Sequence, residues 1–336
     1  MGELRPQQFH FASASERSPG RGQDGVDFLS KWLAQYAEIQ EAGLFSAAVL
    51  GIGCCRPPAV WLLAMRFGFC FPAATGHLNP SLPVASALKG LGHEVHYLCR
   101  TEMREVIERT GASFWAVEDE QLELYEGREK DIMGCFRAVA MELGTTEEPM
   151  MVSLLKTAPR HLELQMPGTI RWMQRLNVEV VMFCPFMNPE AALAAKYLEI
   201  PSVGLWTFAG PGSMLGIVDS FLMQTGLEPV EVLRRVEGYE PTLASIKRFK
   251  ERYGLDLDSR GFLEPKGFLL PFCLTKFNLV TTSSELQDPL PSELASMYTD
   301  ATFITVGPLL EQRGALEEDS DAVREVRAAR QAGGGP

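Results

Sequence analysis

The residue type best able to do chemistry in this chain is a histidine carried on a turn. His77 lies within Thr75-Gly76-His77-Leu78-Asn79-Pro80, directly behind the apolar run Arg66-Phe67-Gly68-Phe69-Cys70-Phe71-Pro72. A buried strand that runs into a glycine-containing turn, followed by a proline placed to open a helix, delivers the histidine to the C-terminal edge of a sheet. Open α/β sheets place their reacting groups there. An imidazole with an ordinary pKa of about 6.5 is available at that edge as a general base near neutral pH. Thr75, Gly76 and Asn79 flank it on the same turn. Trp206, Thr207 and Phe208 end a later predicted strand on the same edge, and Phe186 and Met187 follow another. Aromatic side chains in those places either line a concave apolar pocket or pack in the core.

Other polar residues carry less. His93 and His96 stand an odd number of positions apart on a predicted strand and face opposite sides, which excludes a shared metal site; packing at the surface or the strand end is expected for both. His161, between Arg160 and Glu163 in a helical stretch, is expected on a solvated face. Seven cysteines, at 54, 55, 70, 99, 135, 184 and 273, show no CxxC or Cys/His ligand spacing. They read as reduced thiols of a cytoplasmic protein, several of them small core residues. No GxxxxGK(S/T) or GxGxxG phosphate cradle occurs, so neither a cofactor site nor a metal site is expected. Methionine-rich segments, including Met150-Met151 and Met214, suit core filling or the wall of a pliable apolar pocket.

Forty-three acidic residues against 31 basic ones give a net charge of −12. An acidic chain without a basic stripe is a poor partner for nucleic acid or an anionic membrane. With 336 residues and 46% hydrophobic content, the chain can bury a core without disulfides. The apolar stretch from Leu44 to Ala64 is divided by Arg56-Pro57-Pro58 into pieces too short to span a bilayer, so no clear membrane segment is expected.

The elements that must position His77 follow from periodicity. Residues 1–64 read as an atypical N-terminal extension, partly disordered, with an amphipathic helix predicted over Val26 to Gln40. From Met65 onward strand and helix alternate. Strands are predicted at 66–72, 93–98 and 113–117, with helices at about 79–91 and 101–110, and with Gly92 and Gly111 as C-terminal helix caps. An acidic patch at Asp119-Glu120 and Glu123 precedes helices near 131–143 and 150–176. The pattern resumes with a strand at 178–183, a helix at 189–198 and a strand at 201–207. A partly helical excursion over 209–275 leads to strands at 277–282 and 303–306. Repeated strand-helix units imply an α/β protein built on a Rossmann-like, doubly wound parallel sheet with helical insertions. Residues 65–310 form this domain and 311–336 a charged linker or tail.

Several stretches together resemble one family. Residues 66–72 with Thr75-Gly76-His77-Leu78-Asn79-Pro80-Ser81-Leu82-Pro83, then Leu91-Gly92-His93-Glu94-Val95-His96-Tyr97-Leu98, resemble the N-terminal half of UDP-sugar-dependent glycosyltransferases of the macrolide-type branch. Ala194-Ala195-Lys196-Tyr197-Leu198-Glu199-Ile200-Pro201, the stretch from Asn278 to Gln287 and Val306-Gly307-Pro308 extend the resemblance to about residues 65–310. It implies the N-terminal, acceptor-binding domain of a GT-B fold. The implied reaction transfers a hexosyl group from a UDP-sugar co-substrate to a small, apolar hydroxyl acceptor with inversion, His77 acting as general base. Thr75, Gly76, Asn79, Phe186, Trp206 and Phe208 are the implied acceptor-binding residues.

Two departures accompany the match. The family's base-orienting aspartate falls at Cys184 or Pro185, neither of which is expected to replace it; Glu190 or Asn188, nearby on the following helix, are the candidate substitutes. The family's C-terminal donor domain finds no counterpart after Pro308, so a separate donor-domain chain is an expected partner. These departures support an alternative, a non-catalytic module that binds a small molecule or an inactive truncated transferase. A sugar-nucleotide epimerase of the same architecture is a third reading.

Overall fold

Seven strands form one parallel sheet: β1 (Arg66–Cys70), β2 (Glu94–Cys99), β3 (Ser113–Ala116), β4 (Val180–Phe183), β5 (Ser202–Trp206), β6 (Phe277–Val280) and β7 (Thr302–Thr305). Their order is β3-β2-β1-β4-β5-β6-β7, every neighbouring pair parallel. The computed structural model describes residues 64–130, 132–257, 275–290, 292–295 and 301–309. The helix expected at Val26 to Gln40 and the tail expected from 311 lie outside the described residues.

The sequence explains why the sheet is central. β1 and β4 are apolar at nearly every position, and Phe67, Phe69, Val181 and Phe183 are almost fully buried. Strands buried on both faces read as continuous apolar runs, as parallel sheets require. Phe69, Phe71 and Tyr97 cluster with ring centroids 4.9–6.2 Å apart. The buried Tyr97 hydroxyl is matched by Ser81 Oγ at 2.8 Å, which meets the polar cost of burying a tyrosine. The α/β, doubly wound, Rossmann-like sheet that the alternation predicts is the fold observed.

The first helix differs from its expected span. Instead of one helix over 79–91, a single turn α1 (Thr75–Leu78) precedes α2 (Ser81–Gly90). Pro80 has no N–H to continue the ladder between them, so Asn79 and Pro80 turn the chain instead. Gly92 and Gly111 adopt φ of 90° and 82°, as expected of caps. Then come α3 (Arg104–Glu108), α4 (Ile132–Glu142), the 27-residue α5 (Met150–Leu176) and α6 (Pro189–Tyr197). The excursion after β5 holds α7 (Ser213–Thr225), α8 (Pro229–Glu237) and α9 (Glu240–Tyr253). Among the described residues no helix is long and apolar enough to cross a membrane.

α5 is the frame on which the insertions assemble. Its apolar face is buried through Leu162, Met166, Ile170 and Met173 against α6 and the sheet. Two close approaches fix it. Gly68 on β1 admits Trp172, whose ring would lie 3.1 Å from a β-carbon there. Gly168 lets the chain at Glu120 and Gln121 cross the helix, and Gln121 Nε2 donates to Thr169 Oγ1 at 3.1 Å. A β-carbon at Gly168 would press on the Glu120 carbonyl oxygen and sit 2.6 Å from Gln121 Cα. Alanine in a helix ordinarily gains about 1 kcal/mol over glycine. At this position backbone, which cannot rotate away, opposes it. Gly168→Ala is therefore expected to destabilise the protein by about 1–3 kcal/mol in urea unfolding, despite the better propensity.

Candidate functional site

The strand order places the site. In a doubly wound sheet the connections reverse direction between β1 and β4, and their C-terminal ends diverge to leave a crevice. β1 continues through Phe71-Pro72 to α1, which presents His77 there. β4 continues into Cys184, whose N–H donates to the Cys70 carbonyl at 3.1 Å and so locks the two strand ends together. β5 ends at Trp206 and hands Thr207 to the same edge.

Three chain segments thereby meet at one imidazole nitrogen. His77 Nδ1 lies 3.3 Å from Cys184 Sγ and 3.2 Å from Thr207 Oγ1. Among the described residues Nε2 has no hydrogen-bond partner. Burial lowers the His77 pKa below its ordinary 6.5, so the ring is neutral at pH 7. Burial also pushes the Cys184 thiol up to about 12, which keeps it protonated and uncharged. A neutral thiol and a hydroxyl can each donate to Nδ1 or accept from it, and the hydroxyl is the better acceptor. Use of Nε2 as a base requires the tautomer in which Nδ1–H donates to Thr207 Oγ1.

Aromatic rings enclose the imidazole. Phe186 stacks on His77 with an interplanar angle of 10° and centroids 6.1 Å apart, and Phe208 meets the same ring edge-on at 5.4 Å. Phe186 and Phe208 are themselves perpendicular at 5.3 Å. Phe186 is shared with a cavity of about 880 Å³ between α4, α5 and the turn after β4. Met187, Met151, Leu155 and Leu162 contribute to its wall, with Met141 and Met150 exposed to solvent. The volume suits a drug-sized ligand, and the lining is mostly apolar, as such sites are.

Not every expected site residue reaches this place. Thr75, Gly76 and Asn79 are exposed on the turn that carries His77 and do not line the cavity. Trp206 is a correction: it is 1% exposed, and its Nε1–H donates to the buried Asn278 Oδ1 at 2.9 Å, so it is core. Close packing enforces this, since a β-carbon at Gly204 would lie 2.9 Å from Pro185 and 2.5 Å from Asn278 Oδ1. Glu190 and Asn188 are corrected as orienting groups. Asn188 Nδ2 donates to Glu190 Oε1 at 3.0 Å, and the His77 Nδ1 position is filled by Cys184 and Thr207. Cys184, one of the two positions expected to match the family's aspartate, is the one whose side chain contacts Nδ1. His161 is also corrected, for it is 5% exposed and lines the cavity. α5 turns it inward, while its neighbours Arg160 and Glu163 pair with each other at 2.9 Å.

The buried Glu190 carries a measurable consequence. Removal from water raises its carboxyl from 4.5 to about 7, although it sits in the first turn of α6. The folded protein holds this proton more tightly than the unfolded chain does. Its burial is therefore without ionisation cost below about pH 4.5, and stability falls as the pH rises through about 7. Glu190→Gln is expected to leave stability near pH 4.5 unchanged and to raise it by about 3 kcal/mol at pH 8. Urea unfolding at the two pH values reads the difference.

The contact of Thr207 with His77 Nδ1 and the share of α4 in the cavity wall are site features that the sequence did not assign. Thr207 was signalled by its place at a strand end on the His77 edge, and the cavity by the methionines around 141–151.

No family model and no curated protein matches the sequence. Solved structures do resemble the fold. The glycosyltransferase of kitacinnamycin is 15% identical, with 76% of this chain and 55% of that chain covered and a TM-score of 0.44. The calicheamicin glycosyltransferase CalG4 is 15% identical over 74% of this chain and 53% of that chain, with a TM-score of 0.48. SnogD, a glycosyltransferase from Streptomyces nogalater, is 21% identical over 69% and 49%, with a TM-score of 0.38. The chain spans about half the length of these structures.

Proposed function

We propose that the sheet edge around His77 is the acceptor side of a UDP-sugar-dependent glycosyltransferase. The observation that carries this reading is an imidazole held at Nδ1 by two neighbouring strand ends, with Nε2 unpaired among the described residues, beside Phe208 and Phe186, the second of which also lines a large apolar cavity. The apolar body of an acceptor fills the cavity, and its hydroxyl approaches Nε2. As the oxygen attacks the anomeric carbon, its proton passes to Nε2, the bond from that carbon to the diphosphate breaks, and UDP departs with the bonding pair. Attack opposite the leaving group inverts the anomeric centre. A second domain or a partner chain holds the nucleotide sugar above the same sheet edge.

The reading makes specific demands on Thr207. Its hydroxyl must accept from Nδ1–H to leave the Nε2 lone pair free, a task an ionised carboxylate performs more strongly. One observation favours a second reading, a binding module without turnover: among the described residues no anionic group contacts Nδ1 to stabilise an imidazolium. Incubation of the chain, together with the second domain or partner chain that holds the nucleotide sugar, with a UDP-hexose and a panel of apolar phenols, followed by mass spectrometry, separates the two. A phenol product heavier by one hexosyl group supports transfer. Thermal stabilisation by the phenols with no glycoside formed supports the binding module, and the absence of both removes the acceptor-side assignment.

A further inference from the structure

Three of the polar side chains that line the cavity, Glu148, Ser153 and Thr157, are engaged within the protein. Glu148 accepts from Lys156 Nζ at 2.6 Å and from Arg235 Nη1 at 3.0 Å. Ser153 pairs with Thr145 at 2.8 Å, and the Thr157 hydroxyl donates to the Leu154 carbonyl at 3.1 Å. His161 differs. It is 95% buried, its ring packs on Phe136 with centroids 4.3 Å apart, and its buried Nε2 has no hydrogen-bond partner. A buried polar atom left unpaired weakens a fold unless something else binds it. Here that atom belongs to a wall residue of a cavity large enough for a ligand.

We propose that His161 is the polar anchor of the cavity, binding a second hydroxyl of the ligand so that elongated apolar diols or diphenols are preferred over their mono-hydroxy counterparts. This rests on the cavity being the acceptor pocket, with the reacting hydroxyl at His77. Burial and the nearby Arg128 and Arg160 lower the imidazole to about 3, against the opposing effect of Glu142, so it is neutral at physiological pH. Both guanidinium groups are held by Glu142, at 2.8 and 2.9 Å. A neutral ring offers one donor and one acceptor, which matches a hydroxyl.

Calorimetric titration of the full chain with 4,4'-dihydroxybiphenyl and with 4-hydroxybiphenyl tests this. The wild type is expected to bind the diphenol about tenfold more tightly. His161→Leu is expected to remove that preference by weakening the diphenol alone, while the free variant melts at a higher temperature than the wild type. His161→Gln, which keeps a donor and an acceptor, is expected to retain part of the preference. A wild type that binds both phenols equally, or a leucine variant that keeps the preference, overturns the anchor while leaving the pocket in place. If neither phenol binds the wild type, the pocket itself fails and the anchor with it. Should the leucine variant not fold, the ring-nitrogen NMR signals of His161 in the wild type decide. Movement with the diphenol but not the monophenol supports the anchor, and signals unmoved by a bound diphenol overturn it.

Discussion

His77→Ala is expected to lower kcat for transfer from a UDP-sugar to an apolar phenol by about 10²- to 10⁴-fold, the range a positioned general base contributes. Acceptor binding should change little. In the proposed reaction the cavity wall holds the body of the acceptor, and the imidazole contributes one hydrogen bond to the hydroxyl. A large fall in kcat with KM within a few-fold of wild type therefore identifies His77 as a base acting in the transition state. The pH profile adds a second readout. Because burial lowers the His77 pKa, the acid limb of the wild-type profile should fall below the 6.5 of a free histidine. The alanine variant should lack that limb.

Cys184→Asp is expected to act in the opposite direction. Cys184 Sγ lies 3.3 Å from Nδ1, so a carboxylate on this side chain would accept Nδ1–H, fix the tautomer with a free Nε2, and stabilise the imidazolium. An opposite charge within hydrogen-bonding distance raises a histidine pKa by about 1–3 units. The acid limb of the profile should move to higher pH by that amount, and kcat above the limb should rise by about 10- to 100-fold. The substitution is best made together with Glu190→Gln. Glu190 is fully buried near Cys184 and already raises its pKa, so two carboxyl groups there would oppose each other's ionisation. A binding module without turnover would show only the destabilisation that a buried carboxylate brings.

The sheet was legible because its central strands β1 and β4 are apolar at nearly every position and glycines follow α2 and α3. Val180–Phe183 permits no solvent-facing side, and Gly92 and Gly111 mark where the helices stop. His77 was legible for the same local reason: a strand, a turn and a proline fix its place before any packing is known. Its partners were not, because they arrive from 107 and 130 residues away in sequence. The choice between Cys184 and Pro185 depended on where β4 ends, and a single residue decides whether a side chain points at Nδ1. Trp206 shows the limit of reasoning from strand ends. The β5 register against β6 turns its indole toward Asn278, and Phe208, two positions on, faces His77 instead. His161 was misplaced by its charged neighbours, which pair with each other and leave the histidine to the buried face of α5.

The central claim is that an acceptor hydroxyl binds at His77 Nε2 while Nδ1 stays held by Cys184 and Thr207. Nitrogen-15 NMR of the imidazole during titration with 4-hydroxybiphenyl tests it most directly. The His77 Nε2 resonance is expected to move with the same dissociation constant as calorimetric binding, while Nδ1 moves little. A phenol that binds with that affinity and leaves the Nε2 resonance unchanged would contradict it.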